Sequence, residues 1–143
     1  MTDRIVCDAS AVVAMLLDAG PAGQWVTGVL TGADISAPTL MPFECANVLR
    51  RQELRGAVST DQAAQAHADL VDLSVELWPY EVLSDRVWGL RSKLSCYDAA
   101  YVALAEILDT PLITLDHRIK RAPGLRCQVL TPLPGASATF ESP

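Results

Sequence analysis

The amino-acid sequence predicts an α/β domain with a mainly parallel central sheet flanked by helices. Two observations carry this. Short β-prone segments alternate along the chain with longer segments of helical periodicity, the pattern of parallel strands joined by crossover helices. The chain also has 143 residues, half of them hydrophobic and 20% charged, which suits one core and is too apolar for a disordered chain. No repeat, heptad or low-complexity segment interrupts it. Residues 1–130 therefore read as a single domain, and the Pro-, Gly-, Ser- and Thr-rich segment 131–143 as a frayed tail.

The elements follow in order. Arg4–Cys7 is a strand running into Asp8-Ala9-Ser10, and the apolar stretch Ala11–Leu17 is a helix closed by Gly20-Pro21. Residues 22–31 form a second short helix, and Asp34–Ala37 a strand stopped by Pro38. Thr39–Arg55 is helical and ends at Gly56. Ser59 opens another helix with Gln62 three residues on, the capping-box pattern, and Ala63, Ala66, Leu70 and Leu73 make its apolar stripe. Val75–Trp78 is strand-like and stops at Pro79. Residues 81–93 and 97–108 read as helices, Pro111–Leu115 as a strand ending in Asp116, and Arg126–Leu130 as a last, edge strand.

Composition narrows the function class. The longest apolar run, Ala9–Leu17, falls well short of the ~20 residues that span a bilayer, and acids rather than bases flank it. A soluble, cytoplasmic protein is expected. Cys7, Cys45, Cys96 and Cys127 lie far apart with no C-x-x-C spacing, which counts against a thiolate metal site and against a disulfide framework. Net charge is −6, from 11 basic and 17 acidic residues. Nucleic-acid binders are usually basic. The sum misleads, however, where several carboxylates converge on metal ions, and the bases here are clustered at Arg50, Arg51 and Arg55 and at Arg118, Lys120, Arg121 and Arg126. Charge alone decides nothing.

Parallel α/β sheets build their sites at the carboxyl ends of strands. Asp8 and Asp116 stand there, although Asp8 or Ser10 and Asp116 can equally be helix caps. Asp98 opens a helix that is apolar nearly all round, so this acid lies at the edge of the core and needs a partner. Ser95-Cys96-Tyr97-Asp98 also fits a capping box, and a cap orients a carboxylate without excluding metal binding. Glu44, Asn47 and Arg51 share one helical stripe, either a solvated face or one wall of an acidic cleft with Arg51 at its rim to meet phosphate. Thr114, two residues before Asp116, faces the same side of a strand, where its hydroxyl can orient a carboxylate or simply favour the strand. His67 and His117 receive no role.

Together these pieces resemble the PIN-domain ribonucleases, and among them the VapC-type toxins of type II toxin–antitoxin modules. The resemblance rests on Asp8-Ala-Ser10-Ala-Val-Val-Ala, Pro42-Phe-Glu44-Cys-Ala-Asn47-Val-Leu, Tyr97-Asp98-Ala-Ala-Tyr-Val-Ala-Leu-Ala and Leu112-Ile-Thr114-Leu-Asp116-His-Arg118, in family order across most of the chain. It implies a PIN-like three-layer fold and a metal-dependent endoribonuclease using Mg²⁺ or Mn²⁺. It carries the family's acids onto Asp8, Glu44, Asp98 and Asp116 as metal-site and catalytic residues, and its hydroxyl onto Thr114. Asn47, Arg51 and Arg118 are then expected to steer RNA. It further implies a structured RNA such as tRNA as substrate, a homodimer, and a cognate antitoxin whose segment blocks the acidic cleft. Hard cations that prefer oxygen ligands suit these residue types, and no histidine is needed.

Two other readings remain. One is a PIN-like RNA- or protein-binding module without turnover, against which the complete set of four acids argues. The other is a phosphotransfer domain of the doubly wound type. Asp8 lacks the acidic neighbour of a receiver domain, and Asp8-Ala-Ser10 is not the D-x-D of an aspartate-nucleophile phosphatase.

Overall fold

The computed structural model describes residues 3–132. Among them Ile5, Val6 and Cys7 are all buried, so the strand they form is covered on both faces, as a central strand of a parallel sheet must be. This is β1 (Arg4–Cys7). It is followed by α1 (Ala9–Leu17), α2 (Pro21–Leu30), β2 (Asp34–Pro38), α3 (Met41–Leu54), α4 (Thr60–Asp72), β3 (Val75–Trp78), α5 (Ser84–Gly89), α6 (Cys96–Leu108), β4 (Leu112–Ile113), α7 (His117–Arg121) and β5 (Val129–Leu130). The five strands run parallel in the order β3-β2-β1-β4-β5.

The chain thus builds outward from β1 through β2 to β3, then returns to place β4 on the other side of β1. Right-handed crossovers put the helices of the two halves on opposite faces. Accordingly α1 packs on α2, α3 and α4, while α6 lies over β1, β2 and β4 and against α5. This is the three-layer arrangement expected. The seven residues Ala99–Ala105 of α6 are all buried, so this helix is a core element throughout its middle. Close approach also matters where α2 meets the end of α1. A Cβ on Gly23 would stand 1.8 Å from the Asp18 carbonyl oxygen and 2.8 Å from that of Ala14, so no other residue fits there.

Several elements differ from expectation. The segment read as one helix over 81–93 is a 3₁₀ turn at Tyr80–Val82, then the short α5, then turns. Leu83, Val87 and Leu90 keep the helical spacing of buried residues, but bonds from Leu90 and Lys93 to carbonyls three residues back tighten the chain and end the helix. The strand predicted at Pro111–Leu115 shrinks to Leu112–Ile113, because Asp116 already caps α7 and the chain must turn toward it. The strand predicted at Arg126–Leu130 shrinks to Val129–Leu130. Helix α3 starts at Met41, with Pro42 in its first turn. Ser59 and Gln62 form the expected capping box. No described helix is long and apolar enough to cross a membrane. The tail expected at 131–143 lies, from 133 onward, outside the described residues.

Candidate active site

Between β1 and β4 the sheet changes its direction of winding, and the carboxyl ends of these two strands leave a crevice. Asp8 follows β1 directly. It does cap α1, accepting the Ala11 N–H at 3.1 Å, but the same carboxylate is also held by two side-chain hydroxyls, one of them from beyond α1. Ser10 Oγ donates to Oδ1 at 2.6 Å, and Thr114 Oγ1 donates to Oδ2. Burial pushes the Asp8 carboxyl up to about 6 against the pull of these bonds, and the charge of Asp98 adds to the rise.

Thr114 is fully buried just past β4 and lies beneath the crevice. Its hydroxyl donates to Asp8 and accepts the Asp116 N–H at 3.0 Å, so one oxygen fixes both acids. It therefore acts on Asp116 through that backbone bond, since the two residues do not share the strand expected for them. Ser10 accepts the Leu115 N–H at 3.0 Å and so ties the first turn of α1 to the turn after β4. The sequence reading gave Ser10 no place in the site. The Asp-x-Ser spacing at a helix start was the available signal.

Glu44 projects from the first turn of α3 and is half-buried. Tyr101, 1% exposed on α6, donates its hydroxyl to Glu44 Oε1 at 2.5 Å. Burial raises the Glu44 carboxyl, the Tyr101 bond opposes this, and the charge of Asp98 raises it further. Burial and the charge of Glu44 raise the Tyr101 phenol. Tyr101 also escaped the sequence reading, although a tyrosine three residues after Asp98 in an alanine-rich buried helix lies on the same face.

Asp98 stands in the first turn of α6, where Ser95 Oγ caps the helix by accepting its N–H at 3.1 Å. Burial and then the charge of Asp116 raise its carboxyl, while Ser95 and Arg118 lower it. Asp116 caps α7 through the Arg118 N–H at 2.9 Å. The Arg118 guanidinium forks onto it, Nη2 to Oδ2 at 2.6 Å and Nε to Oδ1 at 3.0 Å, and this holds the Asp116 carboxyl below its ordinary value. The two neighbouring acids thus shift oppositely because only Asp116 has an arginine fork of its own.

Asp8, Glu44, Asp98 and Asp116 line a single cavity of about 740 Å³, together with Asn47, Arg51 and Arg118. The stripe Glu44, Asn47 and Arg51 is therefore a wall of an acidic cleft. Ser10, Tyr97, Tyr101, His117 and Arg121 also reach the cavity. Among the described residues, no three acidic, histidine or cysteine side chains already converge on one point where a metal ion would sit.

The PIN domain family model matches residues 5–125. Ribonuclease VapC1 of Mycobacterium tuberculosis is 39% identical over 128 residues, covering 89% of this chain and 96% of that protein. Among solved structures, VapC20 of Mycobacterium tuberculosis, described as a sarcin–ricin loop cleaving toxin, superposes with a TM-score of 0.64 at 14% identity over 87% of this chain and 98% of that one. VapBC-5 of the same organism, a member of the VapBC family of toxin–antitoxin systems, superposes with a TM-score of 0.55 at 20% identity over 90% of this chain and 97% of that one. With four carboxylates at the winding switch of a parallel sheet, and with a relative this similar over nearly its full length, the chain belongs to the PIN-domain family as a VapC-type member.

Proposed function

We propose that this protein is a metal-dependent endoribonuclease that hydrolyses phosphodiester bonds in a structured RNA such as tRNA, and that it is the toxin of a toxin–antitoxin pair. One observation carries the reading: four carboxylates from four separate parts of the chain face one cavity whose rim holds Arg51, Arg118 and Arg121. The name of the similar VapC1 supports ribonuclease activity.

The donor set fits a hard divalent cation. All donors are oxygens, and Mg²⁺ keeps several waters and needs only one or two carboxylates. Asp8, Asp98 and Asp116 are the residues to hold Mg²⁺ or Mn²⁺, directly or through water. Such an ion lowers the pKa of a water and offsets charge on the scissile phosphate. The chain's own residues do the rest. Ser10, Thr114 and the Ala11 N–H lock the Asp8 carboxylate in one orientation. Tyr101 holds Glu44 by Oε1, and a carboxyl raised by burial suits Glu44 to orient the attacking water and take its proton at Oε2. Arg51 and Arg118 meet the phosphates, and Asn47 offers an amide beside them.

The same cavity suits an antitoxin segment that is basic and lays an arginine among the acids, and VapBC-5 supports a partner of this class. A homodimer is part of the proposal on family grounds alone. The test is cleavage of an end-labelled tRNA pool with Mg²⁺ or Mn²⁺, with EDTA, and with Asp98→Asn. Cleavage should need the metal and fall by about a hundredfold or more in the variant. Scission that survives both EDTA and the substitution overturns the mechanism. RNA binding without scission under all conditions favours the non-catalytic module.

A further inference from the structure

We propose that a small apolar pocket beside the carboxylate cavity is a nucleobase subsite, taking one unpaired base of the RNA whose phosphodiester lies among the acids. The proposal rests on the ribonuclease reading and adds a substrate feature to it. The pocket has a volume of about 250 Å³, and Leu40, Leu83, Ala100, Tyr80 and Tyr97 line it.

Its position is the first argument. The opening turn of α6 is a wall shared by the two hollows: Ser95, Tyr97 and Asp98 line the acidic cavity, whereas Cys96, Tyr97 and Ala100 line the pocket. Neighbouring Cα atoms are ~3.8 Å apart. Tyr97 lines both hollows, so a nucleotide with its phosphate among the acids meets the pocket across a single residue.

The second argument is chemical. Tyr97 and Tyr80 are 66% and 53% exposed, large aromatic surfaces that packing in this chain leaves uncovered. The contrast with Tyr101, on the same helix, is direct: that ring is buried and its hydroxyl is used on Glu44. Exposed rings beside the apolar side chains of Leu40, Leu83 and Ala100, with the polar residue Thr39 also in the lining, suit stacking of a planar base. Arg51, Arg118 and Arg121 in the adjoining cavity complement the phosphates on either side of that base. Bases inside an A-form helix are paired and stacked and cannot enter, so the subsite selects a loop or bulge. A protein partner is the poorer occupant, since a stable interface covers ~800 Å² on each side and this is a hollow for one ring.

The test measures binding of short single-stranded RNAs to the full chain by fluorescence anisotropy, with Ca²⁺ replacing Mg²⁺, alongside sedimentation. Each RNA is compared with versions abasic at one position. Tyr97→Ala should weaken binding of the intact RNA about tenfold, the scale of one lost base stack, while Tyr97→Phe stays near wild type. One abasic position should erase the difference between wild type and Tyr97→Ala. If wild type binds RNA and Tyr97→Ala binds it equally well, the subsite is overturned and the ribonuclease reading stands. If Tyr97→Ala or Tyr80→Ala changes only the sedimenting mass, the pocket is instead a contact between copies of this chain, and the proposal fails. If wild type binds none of the RNAs, the ribonuclease reading fails with it.

Discussion

Asp8→Asn should stabilise the metal-free protein at neutral pH while abolishing its activity. The carboxyl of Asp8 is buried, and burial raises it from an ordinary 3.8 to about 6. A carboxyl raised on folding favours the folded state when protonated. Its contribution is fully present below about pH 4 and is lost as pH rises through about 6. At 1.36 kcal/mol for each tenfold change in proton affinity, holding the ionised form costs about 3 kcal/mol by pH 8. An asparagine escapes this cost but gives up part of the gain, because its amide nitrogen cannot accept the hydrogen that Thr114 now donates. Urea unfolding of both proteins in EDTA, from pH 4 to pH 8, isolates Asp8 by difference, since the other acids titrate in both. The stability of Asp8→Asn relative to wild type should rise by about 3 kcal/mol across that range. Mg²⁺ should then restore wild type more than the variant. A stability difference independent of pH would refute the claim that this carboxylate is held at a cost.

Three further outcomes follow from the same geometry. Thr114→Val removes the hydroxyl that joins Asp8 to the Asp116 backbone and leaves a buried carboxylate short of a donor, so stability should fall by about 1–3 kcal/mol and cleavage with it, read by urea melts and single-turnover kinetics. Arg118→Ala should raise the Asp116 carboxyl toward its ordinary value, seen by NMR titration, and should reduce the salt dependence of RNA binding by about one counterion. Gly23→Ala drives a Cβ into the Asp18 carbonyl, and the melting temperature should drop sharply, with a loss of about 2–4 kcal/mol.

Much of this molecule was legible in its sequence, for reasons local to the chain. Strand and helix alternation, the Ser59–Gln62 box and the Ser95 cap depend on residues within a turn of one another. The four acids were assigned to one site by the resemblance to the PIN-domain family, because local spacing left each of them open to a cap or a solvated face. Tyr101 and Ser10 were missed because their partners Glu44 and Leu115 lie 57 and 105 positions away, so the local signals (Asp-x-Ser, and a tyrosine three residues after Asp98) did not by themselves reveal what they bind. The break after Gly89 was hidden for a different reason. Leu83, Val87 and Leu90 keep a helix's apolar spacing even though the backbone tightens beneath them. The brevity of β4 likewise follows from Asp116 capping α7, a tertiary demand on a segment that reads as continuous strand.

The placement of β4 beside β1 also sets when the molecule can become active during its synthesis. Until Leu112 and Ile113 leave the ribosome, one edge of β1 has no neighbour, and Thr114 and Asp116 cannot yet reach Asp8. Asp8, the first acid of the site, is made 106 residues before the Thr114 that clamps it. A polypeptide stalled before residue 112 therefore presents the unpaired edge of Val6 and Cys7, a target for chaperones and proteases, without a finished site. In such an incomplete copy, Asp8 lacks the Thr114 hydroxyl that holds it and the site lacks the Asp116 carboxylate.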